Sequence, residues 1–228
     1  MIVYHGGYRE IKEIDLSMAK PNKDFGMGFY TTNIREQAEA WADIKGEIYS
    51  VAGVVTGFKF AESAFSDNYY KTLRFSEYSK EWFEFVVKNR DISTSTFVHG
   101  YDIVEGPVAD DKVSSKINDY IRGEISAELF FREISKYPHP THQICFCTGK
   151  SLNAITRINL STLSKIENIG YNIVENIIKN GIERKKALEQ YLLSETFAIL
   201  QDESSALYEK PWQEIYEMLK KEVTLRTP

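Results

Sequence analysis

Three short apolar pieces, far apart in the chain, each carry one side chain able to do chemistry. They are His5 in Val3-Tyr4-His5-Gly6, Tyr30 in Gly28-Phe29-Tyr30-Thr31, and Gln143 in Gln143-Ile144-Cys145-Phe146-Cys147-Thr148. An imidazole can hold a ligand hydroxyl, and a glycine beside it leaves the backbone open to a ligand amide. A phenol ring preceded by spacing glycines, here Gly26 and Gly28, can stack on a planar ring. A side-chain amide can orient a hydroxyl but brings no full charge to a developing cation. Each also has a plainer role: a structural histidine at a strand end, a half-buried core tyrosine, an edge glutamine after two prolines. The Gly-x-Gly-Phe-Tyr stretch is the strongest of the three signals, because it joins glycines, an aromatic and a following helix start.

Other groups compete for roles nearby. Tyr101-Asp102-Ile103-Val104-Glu105-Gly106-Pro107-Val108-Ala109-Asp110-Asp111 holds four carboxylates between a strand and a helix. One of Asp102, Glu105, Asp110 and Asp111 can orient an acceptor or act as base. Equally, Asp110 and Asp111 suit a helix cap, and Asp102 suits solvent. Asn22 and Lys23 precede the tyrosine strand, where a lysine can meet phosphate or simply stay solvated. Cys145 and Cys147 stand two apart in an apolar run, poorly placed for a disulfide, and no second Cys/His pair has metal-ligand spacing. They read as small core residues. No Walker or Rossmann glycine loop is present, which argues against ordinary nucleotide hydrolysis or hydride transfer.

The elements that must position these groups follow from local patterns. Residues 1–8 and Phe25–Thr32 are expected strands, the first ending at Gly6-Gly7. Asn33, with Glu36 three positions on, has the capping-box pattern for a helix through Ala38, Trp41, Ala42 and Ile44 to Gly46. Glu47–Phe60 is expected as a strand or hairpin broken by Gly53 and Gly57. Trp82, Phe83, Val86 and Val87 mark a helix over Ser79–Lys88. Tyr101–Val104 is a strand turning at Glu105-Gly106-Pro107, Asp111 caps a helix over Lys112–Arg122, and Ser126 opens another over Ala127–Ser135, ended by Pro138 and Pro140. Gln143–Thr148 is the last expected strand. From Ser164 to Val223 there is one proline and a run of helical stripes, among them Ile166/Ile169/Ile173/Ile177, Ala187/Leu188/Tyr191/Leu192 and Trp212/Ile215/Tyr216/Leu219. The expected organisation is a first domain over residues 1–160 and a helical region over 161–228.

Bulk properties set outer bounds. With 43% hydrophobic and 27% charged residues, the chain has the composition of a globular protein. Its net charge of -5 argues against a broad nucleic-acid footprint. No window nears the run of about 18 apolar residues that crosses a membrane, and Met-Ile-Val-Tyr-His lacks a secretory pattern. A cytoplasmic protein without membrane contact is the expectation.

Together, Tyr4-His5-Gly6, Lys23-Asp24-Phe25-Gly26-x-Gly28-Phe29-Tyr30-Thr31-Thr32, Arg35-Glu36-Gln37-Ala38-x-x-Trp41-Ala42, the stretch Tyr101–Asp111 and Gln143-Ile144-Cys145-Phe146 resemble an uncharacterised bacterial family related to ADP-ribosyltransferases of the diphtheria-toxin and poly(ADP-ribose) polymerase type. The resemblance covers roughly the first 155 residues. It implies an α+β fold of split, curved antiparallel sheets with NAD, the substrate, in the cleft between them. It also implies that His5 and Gln143 hold the nicotinamide ribose, Gly6 the carboxamide, and Tyr30 the nicotinamide ring. Beyond those four positions, Asn22, Lys23, Phe25 and Gly26 are candidate residues for the rest of a dinucleotide site, and Asp110 and Asp111 are the candidate acids from the residues themselves. Active relatives carry glutamate where Gln143 stands, so polymer formation is not expected, and mono-transfer, NAD hydrolysis or silent binding remain. The acceptor, protein or nucleic acid, is not implied. A toxin–antitoxin or phage-defence role fits the family. Ser194–Phe197, Leu200, Asp202, Leu207-Tyr208 and Ile215-Tyr216 resemble small helical proteins that travel beside this family in bacterial operons. That implies a fused regulator or antitoxin, against the plainer role of a stabilising cap.

Overall fold

A computed structural model describes residues 1–91, 98–134 and 141–226. Alternating and β-branched residues build seven strands there: β1 Ile2–Gly7, β2 Phe29–Thr31, β3 Val54–Phe60, β4 Thr72–Arg74, β5 Ile103–Pro107, β6 His142–Phe146 and β7 Ile155–Ile158. They form two small sheets, β1-β3-β7 and β2-β6-β5-β4. Every pairing is antiparallel except β4 with β5, which is parallel. The fold is α+β, with two sheets and flanking helices as expected, the parallel edge strand being the departure.

The chain divides into two compact units, Met1–Ile158 and Asn159–Pro228. In the first, Val3, Phe29, Phe58, Phe60, Ile103, Ile144 and Phe146 form a core that draws on both sheets. The other face of the second sheet, through Val104 and Cys145, is covered by a second core of Trp82, Phe83, Val86, Val113, Ile117 and Phe130. Those residues come from helices α2 (Lys80–Arg90), α3 (Asp111–Ile121) and α4 (Ala127–Ile134), while α1 is Arg35–Tyr49. Helix α1 lies against β1 through small residues: a Cβ on Gly6 would sit 2.0 Å from the Ala38 carbonyl oxygen.

Several boundaries move for physical reasons. Helix α1 runs past Gly46 to Tyr49 and closes on Ser50 in the left-handed region. Gly46 and Gly53 are close-approach sites, where the returning chain packs on the helix with no room for a side chain. Only Val54–Phe60 of the expected Glu47–Phe60 strand is extended. The helix is entered at Ile34 without a side-chain cap, so Asn33 does not form the expected capping box. Glu105-Gly106-Pro107, expected as a turn, continues β5, because β6 pairs with all three. Asp110, not Asp111, caps α3, accepting from the N–H groups of Lys112 and Val113. Strands β4 and β7 are short additions that the sequence pattern does not mark. Ser135, Pro138 and Pro140, expected to close α4, lie outside the described residues.

The second unit comprises α5 (Leu160–Lys179), α6 (Arg184–Leu192), α7 (Glu195–Gln201) and α8 (Trp212–Arg226). The stripe Ile166/Ile169/Ile173/Ile177 is buried throughout, joined by Ala187, Tyr191, Leu200, Ile215 and Leu219. Leu188 and Leu192, expected on that face, are exposed. The Glu222 carboxylate accepts from the Glu195 and Thr196 N–H groups, so α8 caps the start of α7 across the unit.

Candidate functional site

Strands β1 and β2 meet at one bridge. Tyr4 N–H donates to the Thr32 carbonyl at 2.7 Å, and Thr32 N–H donates back at 2.9 Å. On β1 the odd-numbered residues bond toward β3, as the 2.9 Å bond from Phe60 N–H to the Met1 carbonyl shows. Strand alternation therefore turns the polar groups of Tyr4 and Gly6 toward β2. Continuing the bridge register would pair Gly6 with Tyr30. That pair does not form. The Tyr30 carbonyl instead accepts from His5 Nδ1 at 2.8 Å, and no described residue bonds the outward N–H and C=O of Gly6. The two sheets part here, leaving a seam with one backbone donor and one backbone acceptor along its wall.

His5 is ordered for this position. Because the Tyr30 carbonyl can only accept, Nδ1 carries the proton and the neutral ring keeps Nε2 as an acceptor. The ring stacks on Phe29 with centroids 4.7 Å apart. Burial holds the His5 pKa below 6.5; the Tyr30 carbonyl partly opposes this, and the nearby Lys45 charge adds to it. Lys45 is itself lowered, first by burial and then by Lys23 and Lys20. Lys45 thus stands near the histidine, with Lys20 and Lys23 near Lys45.

Tyr30 and Gln143 share a face of the second sheet, since β2 pairs Tyr30 with Cys145 and the same register sets Thr32 opposite Gln143. The Tyr30 hydroxyl is committed: it accepts from Phe25 N–H at 3.0 Å and donates to the Gly26 carbonyl at 2.7 Å. Burial first, then Cys145 and Asp24, push its pKa well above 10. The ring itself packs against the helical core. Gln143 is 7% exposed, and its Nε2 donates to Asp24 Oδ2 at 2.8 Å and to the Pro107 carbonyl at 3.1 Å. Both partners are pure acceptors, so the amide nitrogen points inward and Oε1 outward, where no described residue donates to it.

Asp24 is the site residue that sequence patterns missed. It is 5% exposed, and Arg90 reaches its Oδ1 through Nε at 2.7 Å and Nη2 at 2.5 Å. Ala109 N–H donates to Oδ2 at 2.8 Å. Arg90 also holds Ser114 Oγ at 2.8 Å, tying the group to α3. Asn22, in the left-handed region at φ 59°, makes the turn that sends Asp24 inward and leaves Lys23 exposed.

The remaining expected residues take structural positions. Phe25 is fully buried in the core against Phe75 and Phe85 and offers no side chain to a ligand. Gly26 sits at φ 75°, and a Cβ there would meet Asn89 Oδ1 at 2.9 Å; one on Gly28 would meet Cys145 Sγ at 2.4 Å. Both glycines are filled by their own chain, correcting the expectation that they make room for a ligand ring. Asp110 caps α3 and Asp111 occupies its exposed first turn. Glu105 projects from the face opposite Gln143, and although its burial raises its pKa, His142 and Arg74 bring it below the usual carboxylate value. Asp102 holds Thr148 Oγ1 and Lys150. Asp102, Glu105 and Asp110 thus each hold contacts within the fold.

Cys145 and Cys147 stand with sulfurs 3.4 Å apart. Cys147, half-buried, is lowered to about 6 by the Cys145 thiol against its own burial, with His99 helping; burial pushes Cys145 up. Among the described residues no group of three His, Cys, Asp or Glu could hold a metal, and no helix is long and apolar enough to cross a membrane. A surface hollow of about 460 Å³ is lined by Glu13–Ser17, Gly149 and Leu152, none of them seam residues.

Two small sheets joined at one bridge, with His5 bonded to the Tyr30 carbonyl where they part, define an α+β protein with a candidate polar seam; the Tyr30 ring and Gln143 lie on the face of the second sheet that also carries the helical core. Residues 1–156 match DUF3990, described as a protein of unknown function, and the chain belongs to that family. The match spans the sheet-bearing unit and leaves out the helices from α5 onward. No curated protein and no solved structure matches the chain.

Proposed function

We propose that this chain binds NAD in the seam between β1 and β2 and breaks its nicotinamide–ribose bond, as a mono-ADP-ribosyltransferase or NAD glycohydrolase. The observation that carries the proposal is the missing Gly6–Tyr30 pair, which leaves a backbone donor and acceptor side by side between two ordered side chains. A carboxamide is the ligand group that answers both at once. The Tyr30 ring supplies a stacking face, and His5 Nε2 and Gln143 Oε1 accept from ribose hydroxyls. Lys20, Lys23 and Lys45 meet the pyrophosphate. In the step itself the bond from ribose C1′ to the nicotinamide nitrogen breaks, and both electrons leave with neutral nicotinamide. The oxygen of water or of an acceptor then bonds C1′ and gives its proton to solvent. The amide dipole of Gln143 stabilises the ribosyl cation less than a carboxylate would, so turnover is slow.

A second function, NAD binding without turnover, is favoured by one specific feature. Among the described residues the only carboxylate in contact with Gln143 is Asp24, and its oxygens are already occupied by Arg90, Ala109 and Gln143. Incubating the protein with labelled NAD and a bacterial lysate separates the two. Label transfer or nicotinamide release supports the enzyme; saturable NAD binding with neither supports the module, and no binding contradicts both. A toxin–antitoxin or defence role belongs to the same proposal and rests on the family resemblance. So does a regulatory part for the helical unit: removing the residues after Asn159 raises turnover or toxicity if it inhibits, and changes neither if it only stabilises.

A further inference from the structure

Behind Gln143 lies a polar network in which Asp24 and Gln143 are buried and Arg90 and Ser114 partly so. Asp24, Arg90, Gln143 and Ser114 belong to separate parts of the chain, yet their polar atoms bond to one another. We infer that the Asp24–Arg90 pair is a positioning device which selects glutamine at 143, turning its carbonyl outward as a fixed acceptor, so that the site is built for an amide and is not a decayed glutamate site.

The reason is complementarity. Gln143 Nε2 has two hydrogens and meets two acceptors, the Asp24 carboxylate at 2.8 Å and the Pro107 carbonyl at 3.1 Å. Turning the amide over would set Oε1 against both, two repulsive contacts in place of two hydrogen bonds. A glutamate would do the same with a full negative charge, beside a carboxylate whose counter-ion is already shared. Arg90 cannot relieve this without abandoning Asp24, Ser114 and the Ala109 carbonyl. Seen from the seam, position 143 therefore offers an acceptor only. The ligand group it receives is a hydroxyl or an N–H, not an anionic oxygen; that the hydroxyl belongs to a ribose rests on the proposed function, whereas the clamp does not.

The test is Gln143→Glu, read as thermal stability against the parent at equal pH. At pH 7.5 the buried, unmatched charge lowers Tm by on the order of 10 °C. The pKa of the introduced acid is raised on folding, so the folded state takes up a proton first as pH falls. The deficit is full above that raised value and shrinks toward pH 5. In the Asp24→Asn/Gln143→Glu double variant, the amide introduced at position 24 places a donor opposite the new carboxylate, and the combined loss is smaller than the sum of the two single losses. In the parent, the Gln143 side-chain NH2 protons exchange slowly with solvent, and Asp24→Asn removes that protection. A Gln143→Glu protein as stable as the parent at pH 7.5, additive single losses, or unprotected Gln143 amide protons would each overturn the inference. Should the glutamate variant fail to fold, the double variant and the exchange measurement on the parent decide. None of these readouts involves NAD, so the clamp and the proposed function can fail separately.

Discussion

Replacing Tyr30 by phenylalanine removes one oxygen and strands two backbone groups. The hydroxyl accepts from Phe25 N–H at 3.0 Å and donates to the Gly26 carbonyl at 2.7 Å. Phe25 has no exposed surface, so its N–H has no route to water, whereas Gly26 is partly exposed and its carbonyl can be hydrated. A buried donor left unsatisfied costs about 1–3 kcal/mol, and a hydrogen bond exchanged for water about 0.5–1.5 kcal/mol. A central sum of about 3 kcal/mol corresponds to a Tm lower by roughly 6–12 °C for a chain of this size. Circular dichroism melts of parent and variant measure it. At a temperature where both are folded, NAD affinity should stay within about threefold of the parent, because the stacking ring is kept. Tyr30→Ala should lose on the order of tenfold or more, in line with base–aromatic stacking of about 1–3 kcal/mol. A phenylalanine variant that melts with the parent would show that the hydroxyl ties nothing down. One that melts early and also loses affinity as far as the alanine variant would mean the hydroxyl, not the ring, meets the ligand.

Two further expectations concern titration. His5 has its pKa held below 6.5 by burial, so it contributes stability that is present above pH 6.5 and is lost as pH falls through its lower folded value. An NMR titration of the ring should give a midpoint below 6.5, and the stability difference between parent and His5→Gln should change within that window; a midpoint at or above 6.5 contradicts the burial argument. Cys147 should be alkylated by iodoacetamide with a rate that follows a midpoint of about 6, while buried Cys145 stays unmodified in the folded protein. Equal labelling of both sulfurs, or a midpoint in the ordinary thiol range, would refute it.

What could be seen in the sequence is what local pattern governs. The isoleucine stripe of α5 is its own periodicity, and the α+β class follows from strand pieces separated by amphipathic stretches. Where pairing or packing across the chain decides, local signals mislead. Glu105-Gly106-Pro107 has turn chemistry but lies against β6, and Gly106 packs under Phe75 and Phe25 rather than bending the strand. Gly26 and Gly28 look like ligand spacers because nothing local shows that Asn89, His99 and Cys145 occupy the space. The site was legible in part. His5, Tyr30 and Gln143 stand on the strands expected of them, and of the four acids picked from one dense run Asp102, Glu105 and Asp110 hold fold contacts while Asp111 stands exposed. Asp24 carried no signal of its own. Its partners Arg90, Ala109 and Gln143 are 66, 85 and 119 residues away, and an aspartate between a lysine and a phenylalanine reads as solvated until that contact is known.

In the proposed function one ligand engages the imidazole, the parted strand edge and the outward amide oxygen together. Titrating NAD into labelled protein while following the Gly6 amide, the His5 ring and the Gln143 side chain by NMR tests it most directly. All three resonances should move along a single saturable curve, and free nicotinamide should move Gly6 alone among the three. Resonances that stay still at millimolar NAD, or that respond with unrelated affinities, would contradict it.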